Sequence, residues 1–266
     1  MPLSIQRDSV LQGKTIVVTG ASSGIGAATA NLAAEQGADV IAVDIHPPAQ
    51  NVGTFFQADL AEKASIDRLV ASLPSGIHGL ANIAGLPPTR PATQVLAVNL
   101  VGLKYLTLQL LPRLADGAAI VNLASLAGRG WREAKPALDA CDDLDFEGIP
   151  AFCVQHRMEG ARSYFFSKEA LVVWTLQNRW RWITRGIRMN AVSPGPVETP
   201  ILQDFLQTLG EHATHRAQVM DRLARPADIA PVVTFLLSDG SAWIRGTNIP
   251  VDGGMDAHVT CTQHEL

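Results

Sequence analysis

The run Lys14-Thr15-Ile16-Val17-Val18-Thr19 leads without a break into Gly20-Ala21-Ser22-Ser23-Gly24-Ile25-Gly26. The first part is short, apolar and β-branched, which marks a buried strand. An Ala-rich helical stretch follows from Ile25 to about Gln36, and Gly37 stops it. Strand, glycine turn and helix in this order form a cradle for phosphates. Gly20 permits the tight turn, Gly24 removes bulk where a pyrophosphate approaches backbone N–H groups, and Gly26 lets helix and strand pack closely. The helix N-terminus offers its positive end to the phosphates. The spacing is G-x-x-x-G-x-G, not the usual G-x-G-x-x-G.

A second strand, Asp39-Val40-Ile41-Ala42-Val43, ends at Asp44. An acid at this tip accepts from the ribose hydroxyls of an adenosine and repels a 2′-phosphate. No Arg or Lys lies in the glycine turn or directly after Asp44, so NAD is expected over NADP. Phe55-Phe56-Gln57-Ala58-Asp59-Leu60 ends a third strand. Asp59 either accepts from an adenine amine or caps the helix expected to start near Ala61.

Tyr164 and Lys168 stand four residues apart, a spacing that puts both on one face of a helix. An ammonium beside a phenol favours the phenolate and lowers its pKa, which suits proton exchange with an alcohol near neutral pH. Tyr105 has Gln109 at the same spacing, so Tyr164 is the only tyrosine suited to this role.

Together, Thr19 to Gly26, Asn82-Ile83-Ala84-Gly85, Tyr164-x-x-x-Lys168 and Ser193-Pro194-Gly195 resemble the short-chain dehydrogenase/reductase family, in the family's order and over nearly the whole chain. The resemblance implies an α/β fold of one domain over residues 1–266, a Rossmann-type doubly wound sheet of seven parallel strands. It implies a nicotinamide cofactor and hydride transfer between an alcohol and a carbonyl. Tyr164 matches the catalytic acid/base and Lys168 the residue that lowers its pKa and binds the nicotinamide ribose. Ser125 matches the serine that holds the substrate oxygen, Asn99 the support of a proton-relay water, and Thr199 the contact to the carboxamide. Plainer roles stand beside these: Ser125 as a strand-end cap, Asn99 as a satisfied helix polar group, Thr199 as a helix N-cap. Cofactor contacts are expected from Gly20, Ser22, Ser23, Gly24, Ile25 and Gly26, from Asp44, Asp59 and Leu60, and from Asn82, Ala84 and Gly85. Pro194, Gly195, Val197 and Thr199 complete the expected set, with Tyr164 and Lys168.

The family usually has about a dozen residues between its serine and its tyrosine; here Leu126 to Ser163 intervene. The insert, residues 127–162, is acidic in its middle and apolar later. It either walls the substrate pocket or covers a surface where subunits would pair. Ser163 adjoins Tyr164 and would point elsewhere on a helix, so Ser125 is the leading serine. An insert at this place resembles the subgroup that contains bacterial 3α-hydroxysteroid dehydrogenase/carbonyl reductase and coniferyl alcohol dehydrogenases. Residues 199–224 carry Ile201, Leu202, Phe205, Leu206 and Leu209 at helical spacing, either as an apolar lid over the substrate or as a helix packed permanently on the core. A hydrophobic, ring-containing alcohol is the expected substrate, a 3α-hydroxysteroid the alternative. A non-catalytic NAD sensor is a rival of another class.

An apolar content of 47% fits a parallel sheet buried on both faces. A net charge of −4 argues against nucleic acid or an anionic membrane as partner. No signal core or 18-residue apolar run is visible, and a cytoplasmic homodimer or homotetramer is expected. Cys141, Cys153 and Cys261 show no Cys-x-x-Cys spacing and read as reduced thiols. His212 and His215 form a His-x-x-His without acidic or cysteine partners, so no metal is expected. Trp174, Trp180 and Trp182 are expected on the helix after the Tyr-Lys pair, in the core or at a subunit interface.

Overall fold

The computed structural model describes residues 9–50, 52–209 and 220–266. Its elements in chain order are β1 (Thr15–Thr19), α1 (Gly24–Glu35), β2 (Asp39–Asp44), β3 (Thr54–Gln57), α2 (Lys63–Ser72) and β4 (Ile77–Asn82). Then come α3 (Ala92–Leu96), a π-helical turn (Ala97–Gly102), α4 (Leu103–Leu110), β5 (Leu114–Leu123), α5 (Lys135–Ala140), α6 (Ile149–Gln155) and α7 (Ala161–Gln177). The chain ends with β6 (Arg188–Pro194), α8 (Leu202–Leu209), α9 (Pro226–Leu237), β7 (Asn248–Val251) and α10 (Met255–His264).

The seven strands form one parallel sheet in the order β3-β2-β1-β4-β5-β6-β7. Alternation along β1 sends Val17 to one face and Ile16 and Val18 to the other. Val17 joins Ile41, Ile120, Leu106, Leu110, Leu171 and Trp174, a layer that includes α4 and α7. Ile16 and Val18 join Ala30 and Ala33 of α1 and Ile229, Val233 and Leu236 of α9. Both faces are therefore dry, as the apolar strands require. The strand order reverses beside β1, and the crevice beyond the carboxyl ends of β1 and β4 is where such sheets bind ligands.

Sequence and structure differ at three places. β3 stops at Gln57, and beyond it Asp59 turns the chain by accepting the Ala61 N–H at 2.8 Å. α7 stops at Gln177, so Trp174 is in the core while Trp180 and Trp182 lie beyond the helix, Trp180 exposed. The helical stretch Ala92–Arg113 is long and apolar enough to cross a membrane, yet 67% of its apolar window is buried inside the protein. It is a core helix of this fold.

The insert folds outward onto the helical layer. Leu138, Cys141, Ile149, Phe152 and Met158 bury themselves against Leu96, Leu100, Phe166 and Ala170. Arg162 fastens its end to buried Glu169 through two bonds, of 2.9 and 2.7 Å. Cys141 and Cys153 are buried, Cys261 is exposed, and all three are free thiols. His212 and His215 lie outside the described residues, as do residues 210–219 of the expected lid. Among the described residues no three His, Cys, Asp or Glu side chains are grouped to hold a metal.

Candidate active site

The glycine turn coils tightly against the end of β4. Gly20 has φ +70°, and a Cβ there would lie 2.8 Å from the Ala84 Cα. A Cβ on Gly26 would lie 1.9 Å from the Gly20 carbonyl oxygen, so no side chain fits. Gly24, at φ +52°, faces Thr199, whose Cγ2 would meet a Cβ at 3.1 Å. Thr19 braces this wall, its hydroxyl accepting the N–H groups of Ile83 at 3.0 Å and Ala84 at 3.1 Å. Ser23 begins α1 with an extended backbone and no side-chain cap, which leaves helix N–H donors for an anion.

Asp44 ends β2 beside this turn. Its carboxylate accepts the Ser22 N–H at 3.0 Å and the His46 N–H at 3.2 Å, and the Ser22 hydroxyl donates to the His46 carbonyl. These bonds fix an anionic group where an adenosine ribose is expected. The donor-rich turn and this carboxylate fit a dinucleotide. Three of the expected contact residues also have local partners or places in the core. Leu60 is buried in the core, and Asn82 donates to Thr107 and Asn122, each at 2.9 Å. Asp59 spends one oxygen on its turn.

Tyr164 and Lys168 share α7, and both are buried. The Lys168 ammonium donates to the Leu123 carbonyl at 2.7 Å and stands 5.6 Å from the centre of the Tyr164 ring. Burial pushes the phenol up to about 12, while a hydrogen bond with Ser125 pulls it down. Burial likewise pushes the Lys168 ammonium down to about 8. Burial dominates both shifts, and the ammonium's own hydrogen bond goes to a backbone carbonyl.

Ser125 follows β5 and accepts the Ala127 N–H at 3.1 Å, so it caps the next turn and faces Tyr164 as well. Ser163 donates to the Gly160 carbonyl at 2.8 Å and faces away. Asn99, fully buried in the π-helical turn, accepts the Leu86 N–H at 2.7 Å and donates to the Leu86 carbonyl at 3.0 Å. It fastens the loop after β4. Thr199 makes a long 3.4 Å bond to the Val197 carbonyl, and its own carbonyl accepts the Leu202 N–H at 3.0 Å at the start of α8.

Tyr164, Ser125 and Lys168 open into a cavity of about 390 Å³. Its apolar walls include Leu86, Phe165, Ile201, Leu202, Phe205 and Met255, and among the described residues Lys168 is the only Lys, Arg, Asp or Glu that lines it. Of the insert range 127–162, only Ala127 reaches it. Sequence reasoning missed Phe165, Leu223, Met255 and the Leu123 carbonyl. It also missed Gly128, where a Cβ would lie 2.8 Å from the Lys168 carbonyl oxygen. A glycine three residues past the candidate serine was the available signal.

Comparison with known proteins agrees with this geometry. A family model described as short chain dehydrogenase matches residues 14–137, and one described as enoyl-(acyl carrier protein) reductase matches residues 150–256. The gap between them falls inside the insert. The chain is 42% identical over 251 residues to coniferyl-alcohol dehydrogenase of Pseudomonas sp. strain HR199, covering 92% of this chain and 97% of that one. It is 33% identical to 3-alpha-hydroxysteroid dehydrogenase/carbonyl reductase of Comamonas testosteroni, over 93% and 98% of the two chains. The crystal structure of 3-alpha-hydroxysteroid dehydrogenase from Pseudomonas sp. B-0831 complexed with NADH superposes with a TM-score of 0.83 at 30% identity, covering 92% and 98%. The chain belongs to the short-chain dehydrogenase/reductase family. It is an oxidoreductase that acts on alcohols with a nicotinamide cofactor and a small-molecule substrate.

Proposed function

We propose that the protein is an NAD-dependent dehydrogenase of an uncharged, ring-containing alcohol of the coniferyl type. The observation that carries this reading is the apolar cavity that ends on Ser125, Tyr164 and Lys168. Among the described residues its walls offer no cation beyond Lys168 to pair with a carboxylate or phosphate. Asp44, held by two backbone N–H groups, supports NAD over NADP.

Ser125 and Tyr164, which line the cavity together, present two hydroxyls to the substrate oxygen. Ser125 orients that oxygen, and Tyr164 exchanges the proton with it. Held neutral by burial, Tyr164 is ready to donate a proton to a carbonyl oxygen; accepting one needs more positive charge in the crevice. When bound, NAD supplies the hydride acceptor and a positive ring. Lys168 lies next on the outward proton path, and Asn99 keeps the loop at Leu86 closed behind it. Aromatic surface left exposed at Trp180 and Trp243 supports self-association as a homodimer or homotetramer.

The test is NADH formation with coniferyl alcohol, cinnamyl alcohol and a 3α-hydroxysteroid, with NADP run in parallel. Turnover of the steroid alone moves the assignment to the steroid dehydrogenases, which the 0.83 superposition favours. Tyr164→Phe should lose at least about a hundredfold in kcat while retaining NADH binding. Unchanged turnover would refute the mechanism.

A further inference from the structure

We propose that Phe205 is a specificity-determining residue, whose ring selects flat aromatic alcohols over puckered alicyclic ones. The inference rests on the dehydrogenase reading of the same cavity. The Phe205 ring stands edge-to-face on Tyr164, 4.8 Å between centroids at 75°. Phe165 also approaches Tyr164 edge-on, at 6.5 Å and 87°. Both phenylalanines line the cavity with Tyr164, so two rings contact the phenol where the substrate oxygen is expected.

Phe205 lies on α8, and its neighbour Asp204 accepts the Thr89 hydroxyl at 2.6 Å, which ties the helix to the loop after β4. The ring thus rests on the phenol while its helix is tied to that loop. A planar ring can enter beside Phe205 and exchange one edge-to-face contact for another. A saturated ring is thicker and offers no π-face. It reaches Tyr164 only by driving Phe205 off the phenol and straining the Thr89–Asp204 tie. Phe205 therefore acts through contact with the substrate ring, and the hydride and proton chemistry stays with the other residues.

The experiment compares cinnamyl alcohol with its ring-saturated analogue, 3-cyclohexyl-2-propen-1-ol, in the wild type, Phe205→Leu and Phe205→Ala. NADH affinity is followed by fluorescence as a control for folding and cofactor binding. Expected is a fall of about tenfold in kcat/KM for cinnamyl alcohol in Phe205→Leu, with the saturated analogue unchanged or improved. Phe205→Ala, which also admits water to Tyr164, should move the acidic limb of the pH profile for kcat/KM in alcohol oxidation toward lower pH. Equal losses on both alcohols, or no change in their ratio, overturn the proposal alone. Wild-type silence on both alcohols with NADH still bound overturns the dehydrogenase reading and this proposal with it.

Discussion

Lys168 is held in the fold at a cost that a pH experiment can read. Its ammonium falls from the ordinary 10.5 to about 8 because burial strips its water. Between those pH values the unfolded chain binds more protons at this site than the folded one, so stability rises with pH there. The whole difference is worth about 3 kcal/mol, at about 1.4 kcal/mol per tenfold change in proton affinity. From pH 7 to pH 9.5 the wild type should recover about 2 kcal/mol of it. Tyr164 acts in the opposite sense, its folded value near 12 lying above the ordinary 10.0, but only above pH 10. The assay is urea unfolding at both pH values, for the wild type and for Lys168→Met, which keeps the stem without the charge. Other titrating groups cancel in the difference between the two proteins. If both change by the same amount, the ammonium is not desolvated and the account of this pair fails.

Gly26→Ala should weaken NADH binding by more than tenfold, because its Cβ must push the Gly20 carbonyl aside at about 1–3 kcal/mol; fluorescence titration checks it. Asp44→Ala should lower the NAD-to-NADP ratio of kcat/KM by about tenfold or more, and an unchanged ratio would remove Asp44 from cofactor choice. Arg129 binds Asp256, Thr260 and Gln263 of α10 with three nitrogens, at 2.5, 2.6 and 2.9 Å. The site is about one-third exposed, so Arg129→Ala should cost only about 1 kcal/mol and lower Tm by about 2–4 °C in scanning calorimetry.

Local chemistry was legible in the sequence; long-range chemistry was not. β1, the glycine turn and α1 were visible because a β-branched run, small residues and an Ala-rich stretch follow one another. The shared face of Tyr164 and Lys168 follows from helix geometry alone. Their proton affinities do not, because burial is a property of the packed layers. The Leu123 carbonyl takes the lysine's bond, and a backbone acceptor has no signature in sequence. Met255 and Leu223 reach the cavity from far along the chain, with no periodicity that points to it. The third strand ends earlier than its sequence suggests, because Phe55 and Phe56 continue into apolar Ala58 and Leu60, while the Asp59 turn ends the pairing.

The insert joins Ser125 to Tyr164, so it is also the tether between two groups that meet in the cavity. Tripling a tether's length costs about 1 kcal/mol in closure entropy if the extra chain stays loose. This one does not, since Phe152, Ile149 and Leu138 dock on Phe166 and Leu100. Its apolar residues thus govern how firmly the ends are held while adding almost nothing to the cavity wall. Inheritance can vary such a segment to reset thermal tolerance without touching which alcohol is accepted. Exchanging inserts between relatives would then transfer heat resistance and leave substrate preference behind.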